Sequence, residues 1–214
     1  MNRQEEGLYS LFIHNGDTKD LTVLTTGIRD EEFVRGKIPM TKEEVRTVSI
    51  AKLGLTKDAI VYDVGSGTGS VAVEIARLGV KQVYAVEKNP QAIALIKENI
   101  KKFKLTNVTV IPGEAPDALC NLPAPTHVFV GGSGGKMKKI LSKVKGKNNS
   151  ASVVINAVSF ETLNECIQAE KEFDIIDFDI ISLAVTRTNQ VGNYHMMKSE
   201  NQIFICSFKF DGDR

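Results

Sequence analysis

The chain's 214 residues suit one substantial domain rather than two full cores. Hydrophobic residues make up 42% and charged residues 25%, the usage of an ordinary globular protein, which excludes intrinsic disorder and fibrous architectures. With 27 Lys and Arg against 26 Asp and Glu, the net charge of +1 supplies no global field that would draw the chain onto nucleic acid or an anionic membrane.

Cys120, Cys166 and Cys206 are odd in number and form no C-x-x-C pair, so neither a disulfide framework nor a zinc cage is expected. No His, Cys and carboxylate cluster has metal-ligand spacing, and no metal site is expected. The amino terminus MNRQEEGLYS has no apolar signal core, and no stretch approaches the roughly 18 apolar residues of a membrane span. The expected location is the cytoplasm.

Residues 1–38 show weak periodicity, with an alternating patch at Leu21, Val23 and Leu24, and read as an appendage to a domain spanning 39–214. Thr41 followed by Glu44 reads as a capping box opening a helix over 41–54, with Val45, Val48 and Leu53 on its buried stripe and Gly54 as its stop. Strands are then expected at 59–64, 82–86, 108–111, 127–130 and 152–155. Helices are expected at 70–78, from Asn89-Pro90 to Phe103, at 136–144 and at 161–172. Two further strand-like stretches, 174–186 and 202–210, are joined by a polar loop too short for a crossover helix, so they must pair antiparallel. The expected fold is α/β: a Rossmann-like, doubly wound, mostly parallel seven-stranded sheet with an antiparallel carboxyl-terminal strand.

The most informative segment is Asp63-Val64-Gly65-Ser66-Gly67-Thr68-Gly69, where the first strand passes into its helix. Glycines there let a ligand approach the backbone and permit unusual φ values. A dinucleotide fingerprint needs G-x-G-x-x-G, but residue 70 is Ser, which disfavours NAD. Glu87 ends the second strand, where a carboxylate can accept hydrogen bonds from a ribose diol; Glu114, after the third strand, occupies the matching place beside an adenine edge. The alternative for either is a solvated loop carboxylate.

The DVGSGTG turn, YAVEKNP strand end and PGEAP segment, in that order over residues 59–157, resemble the class I S-adenosylmethionine-dependent methyltransferases. Two further segments narrow the resemblance. Residues 36–46, GKIPMTKEEVR, and FVGGSGGKMKKIL after the fourth strand are similar to the decarboxylating precorrin methyltransferases of cobalamin biosynthesis, the CbiT type. That resemblance runs from about Gly27 to the carboxyl terminus and leaves residues 1–26 unexplained.

It implies transfer of a methyl group from S-adenosylmethionine to C15 of a cobalt-precorrin, with loss of carbon dioxide from the acetate of ring C. It also implies a homotetramer, and a separate C5-methyltransferase as partner protein, since no chain remains here for that activity. By the same resemblance, Thr41, Gly65, Ser66, Gly67, Thr68 and Gly69 contact the cofactor, with Glu87 on the ribose and Ala115, beside Glu114, at the adenine. Gly131, Gly132, Ser133, Gly134 and Gly135 leave an open floor for a flat macrocycle. A reduced tetrapyrrole carries an electron-rich carbon and serves as its own electron sink, so a strong protein base is not obligatory. Arg46, Lys136, Arg187 and Lys198 are candidates to grip substrate carboxylates, and His195 is a candidate for proton transfer; for each, a solvated surface residue is the alternative. A methyltransferase acting on tRNA or protein carboxylates, and a catalytically inactive S-adenosylmethionine-binding module, remain competing readings.

Overall fold

The computed structural model describes residues 26–212, so the patch at Leu21, Val23 and Leu24 lies outside the described residues. The strands are β1 (Ile60–Val64), β2 (Gln82–Glu87), β3 (Val108–Pro112), β4 (His127–Val130), β5 (Ser152–Ala157), β6 (Ile175–Leu183), β7 (Thr186–Val191), β8 (Tyr194–Ser199) and β9 (Ile203–Phe210). The helices are α1 (Glu43–Leu53), α2 (Ser70–Arg77), α3 (Pro90–Lys102), α4 (Met137–Lys147) and α5 (Phe160–Glu172).

Seven strands form one sheet in the order β3-β2-β1-β4-β5-β9-β6. The first five run parallel, and β9 inserts antiparallel between β5 and β6, as expected for the two carboxyl-terminal stretches. The strand order reverses between β1 and β4. In open α/β sheets a ligand cleft forms at such a switch point, outside the carboxyl ends of the strands.

The period of two along β1 divides its side chains between two cores. Tyr62 and Val64 pack in the cluster that contains Met137, Ile140 and Leu141 of α4 and Cys166 of α5. Val61 packs in the one that contains Val45 and Ile50 of α1, Val71 and Ile75 of α2 and Ile96 of α3. Both faces are therefore covered by helices, which is why the strands read as nearly continuous apolar runs.

The caps agree with the residues that signal them in two places. Asn89 Oδ1 accepts from the N–H groups of Gln91 and Ala92, and Gly54 closes α1 with φ +64°. Thr41 does not cap α1. Lys42 holds that place without a side-chain cap, and the Thr41 carbonyl instead accepts from Arg46 Nη1 at 2.5 Å. Val48, expected on the buried stripe, is half-buried, while Arg46 and Ser49 are buried with Val45, Ile50 and Leu53.

Residues 26–38, the end of the stretch read as an appendage, lie against the domain. Ile28 and Phe33 pack on Val73, and the fully buried Arg46 lies 4.7 Å from the Phe33 ring centroid. The polar loop expected between the last two strands is instead a hairpin. Thr186–Val191 pairs antiparallel with Tyr194–Ser199 through the two-residue loop Gly192-Asn193, with φ +61° at Gly192. All twelve residues of its strands are exposed, so burial leaves no alternation by which periodicity could detect them.

Candidate active site

A cleft of about 880 Å³ opens along the carboxyl edge of β1, β2, β4 and β5. The β1–α2 turn forms its base: the N–H groups of Gly65 and Ser66 both donate to the Val86 carbonyl, at 3.0 and 3.1 Å. Gly65, Gly67 and Gly69 have φ values of +72°, +58° and +80°, a region that disfavours side chains.

The protein's own chain also needs these glycines. A Cβ at Gly65 would stand 2.8 Å from the backbone of Gly132, and one at Gly67 would stand 3.1 Å from the Pro39 carbonyl. At Gly69 a Cβ would meet Ile96 at 3.1 Å. The turn is thus clamped between the β4–α4 loop, the strap before α1, and α3.

Gly65, Ser66, Gly67, Thr41, Glu87, Glu114 and Ala115 all line the cleft, as do Gly131, Gly132, Ser133 and Gly134. Thr68 and Gly69 do not; Thr68 is buried beneath the turn, and its carbonyl accepts from Asn99 Nδ2 at 2.9 Å. Gly135 lines a neighbouring hollow instead, together with Glu161, Thr162 and Glu165.

Glu87 organises its surroundings before any ligand arrives. Its Oε2 accepts from the Gly67 N–H at 2.9 Å, and its Oε1 accepts from the N–H groups of Lys88 and Asn89 at 2.8 and 2.9 Å. Glu114 bridges three strand-end loops, with Lys88 Nζ at 2.7 Å on one oxygen and Lys136 Nζ at 2.5 Å on the other. The hydrogen bond from Lys136, followed by that from Lys88, pulls its carboxyl down to about 2.

Asp63 lies beneath the turn and is completely buried. Its Oδ2 accepts from Ser66 Oγ at 2.6 Å and from the Ala72 N–H at 3.1 Å, while Oδ1 has no partner. Burial pushes its carboxyl up to about 7, against the opposing pull of those two donors.

The expected cation sites divide. Arg46 is not available to a substrate: its Nε meets Glu74 at 2.7 Å and its Nη1 meets Asp30 at 3.2 Å, in a fully buried network. Lys136 is held by Glu114. Arg187 lies outside the cleft lining, where it joins Glu44 on α1 to Glu200, with N···O distances of 2.5 and 2.9 Å. His195 sits in the exposed strand β8, also outside the cleft lining. Lys198 does line the cleft, and among the described residues it makes no ion pair.

Sequence reasoning missed Asn156, at the carboxyl end of β5, which lines both the cleft and the neighbouring hollow. Its Oδ1 lies 2.9 Å from Ser49 Oγ, whose single proton is shared with the Val45 carbonyl at 2.7 Å. Its Nδ2 is buried without a partner, a state that costs about 1–3 kcal/mol when left unrelieved. The available signal is a polar residue interrupting the apolar run 153–157 one position before its end.

Comparison with known proteins places this geometry. The family described as "Precorrin methyltransferase domain" matches residues 32–209. A probable cobalt-precorrin-6B C(15)-methyltransferase (decarboxylating) from Sulfurisphaera tokodaii is 40% identical over 183 residues, covering 84% of this chain and 95% of its own. The cobalt-precorrin-6B C(15)-methyltransferase (decarboxylating) of Salmonella typhimurium is 33% identical, covering 84% and 94%. The crystal structure of precorrin-6y C5,15-methyltransferase from Geobacter metallireducens superposes with a TM-score of 0.81 at 34% identity, covering 88% of this chain and 98% of that one.

Proposed function

We infer the reaction from one premise: the chain belongs to the precorrin methyltransferase family. It is an S-adenosylmethionine-dependent cobalt-precorrin C15-methyltransferase (decarboxylating) of cobalamin biosynthesis. The observation in this chain that carries the reading is the cleft at the β1/β4 switch point, floored by the glycine turn and flanked by Glu87.

The residues present fit S-adenosylmethionine. Gly67 has no Cβ to fill the narrow space beneath the Pro39 carbonyl. Glu87 Oε2, which accepts one backbone bond against the two at Oε1, still has acceptor capacity. In this reading Thr41, Gly65, Ser66 and Gly67 hold the cofactor, Glu87 takes the ribose hydroxyls, and Ala115 with Glu114 borders the adenine. Thr68 and Gly69 support the turn from beneath. When bound, the cofactor supplies an electrophilic methyl group on a sulfonium.

The chain's own residues then act by holding and orienting. The glycine-rich stretch 131–135 leaves room for the macrocycle beside the turn, and Lys198 offers a cation to one of its carboxylates. No step is routed through His195 or Arg187, which lie outside the cleft lining. We also propose that the enzyme is a cytoplasmic homotetramer acting with a separate C5-methyltransferase; its free cysteines suit a reducing compartment.

The test is mass spectrometry of the tetrapyrrole after cobalt-precorrin, made by the preceding enzymes, is incubated with the protein and S-adenosylmethionine. The expected product has gained one methyl and lost one carbon dioxide. Methyl gain alone would keep the methyltransferase and discard the decarboxylase, and binding without turnover would indicate an inactive module. In the control, Gly67→Arg is expected to retain the fold by circular dichroism, lose cofactor affinity at least 100-fold by calorimetry, and form no product.

A further inference from the structure

We propose that the β5–α5 corner, formed by Asn156, Val158 and Phe160, orients the acceptor: Val158 and Phe160 meet a face of the macrocycle, and the unpaired Asn156 amide donates to one of its carboxylates. The proposal deepens the reading above and rests on it.

Three observations converge on this corner. Val158 is 74% and Phe160 80% exposed, whereas most large apolar side chains of the described chain are buried. Val158 lines both the cleft and the hollow, and Phe160, which lines neither, extends the apolar surface to the start of α5; exposed apolar groups at the edge of a cleft suit a surface that is covered in use. Asn156, two residues before Val158, is nine-tenths buried, and its Nδ2 is the unpartnered donor already described. Nδ2 itself is closed to solvent, so the amide must turn toward the cleft to meet a ligand, and an acceptor that draws it out relieves the unpaired donor.

Asn156 and Val158 also lie on the boundary that the cleft shares with the neighbouring hollow. An acceptor resting there adjoins both the donor site and open space for a wide ring. Gly132 adds to that room, since a Cβ placed on it would meet nothing within 4 Å.

Charge then sets the orientation. The cleft is lined by Lys42, Lys88 and Lys198 together with Glu87, Glu114 and Glu200, whereas the charged lining of the hollow is Glu161 and Glu165 alone among the described residues. A flat ring bearing carboxylates finds cations only on the first side, including Lys198, which makes no ion pair among the described residues, and is repelled on the second. Its carboxylate edge therefore turns toward Lys198 and Asn156. A plain hydrocarbon ligand would make no use of this asymmetry, and a nucleic acid would need more cations than the cleft offers.

The experiment uses the full chain with three variants. Val158→Asp and Phe160→Ala alter exposed side chains that the fold does not depend on, and Asn156→Asp converts the donor into an acceptor. Binding of cobalt-precorrin is followed by its absorption change in the presence of S-adenosylhomocysteine, and cofactor binding is followed separately by calorimetry.

For Val158→Asp and Phe160→Ala the dissociation constant of the tetrapyrrole should rise at least tenfold, while that of the cofactor changes less than twofold. For Asn156→Asp the loss should ease as pH falls, because a protonated aspartic acid regains a donor; a purely structural defect would not recover in this way. Unchanged tetrapyrrole binding in both exposed variants would overturn the proposal. If the unmutated protein itself neither binds nor converts the tetrapyrrole, the functional reading fails first; if it does both and the variants match it, this inference alone fails.

Discussion

Asp63 shows how one residue can couple the glycine turn to pH. Its carboxyl is raised to about 7 by burial, well above its ordinary value. Between that ordinary value and about 7 the folded state holds a proton that the unfolded chain has released. The resulting stabilisation is fully present below that ordinary value and is lost progressively as pH rises to about 7. Asp63→Asn keeps a neutral group in the same place, so wild type should lose stability relative to this variant between pH 5 and pH 8. Urea unfolding of both proteins across that range measures the difference, and a constant difference would refute the assignment. Glu114 behaves in the opposite way: the lysines on either side keep it ionised down to about 2, so it contributes no titration over the same interval.

At the scale of elements, two arginines that look alike in the sequence have opposite roles. Arg46 ties α1 to α2 through Glu74 and to the preceding strap through Asp30 and the carbonyls of Thr41 and Ile28. That strap carries Ile38, Pro39 and Met40 to the cleft, so the buried network shapes the site without touching a ligand. Removing one partner of a buried pair leaves the other charge uncompensated. Arg46→Ala is therefore expected to lower unfolding free energy by roughly 3–5 kcal/mol. Arg187→Ala removes only an exposed bridge between α1 and the hairpin base, and should cost less than about 1 kcal/mol. Denaturant titration distinguishes the two; equal losses would show that the network at Arg46 is not the strut described.

For the molecule as a whole, the hairpin β7–β8 is the part least explained by the chain's own core. Val191, Tyr194, Met196 and Met197 are 55–83% exposed, with Val191 and Tyr194 flanking its turn. Such a concentration of apolar surface is normally covered by another chain, which is the physical support for the proposed homotetramer. A Tyr194→Asp, Met197→Asp double variant should dissociate the assembly while leaving the fold intact, as read by light scattering and circular dichroism. A native mass unchanged from a wild-type tetramer would place the contact elsewhere.

The β/α alternation and the glycine turn were legible in the sequence because each is local: a strand's apolar run, an N-cap, a turn residue with positive φ. The stripe of α1, the hairpin and the fate of the cations were not. Burial of Arg46 depends on Glu74 and Asp30 arriving from other elements, and an exposed hairpin writes no hydrophobic period. The sequence by itself determined the order of elements, the place of the cleft and the family, because these follow from spacing along the chain. Only the tertiary structure decided which polar groups face that cleft. Lys198 lines it, Arg46 is sealed by carboxylates from other elements, and Asn156 is left with a free donor, because partners are assigned by packing across the sheet and not by neighbours in the chain.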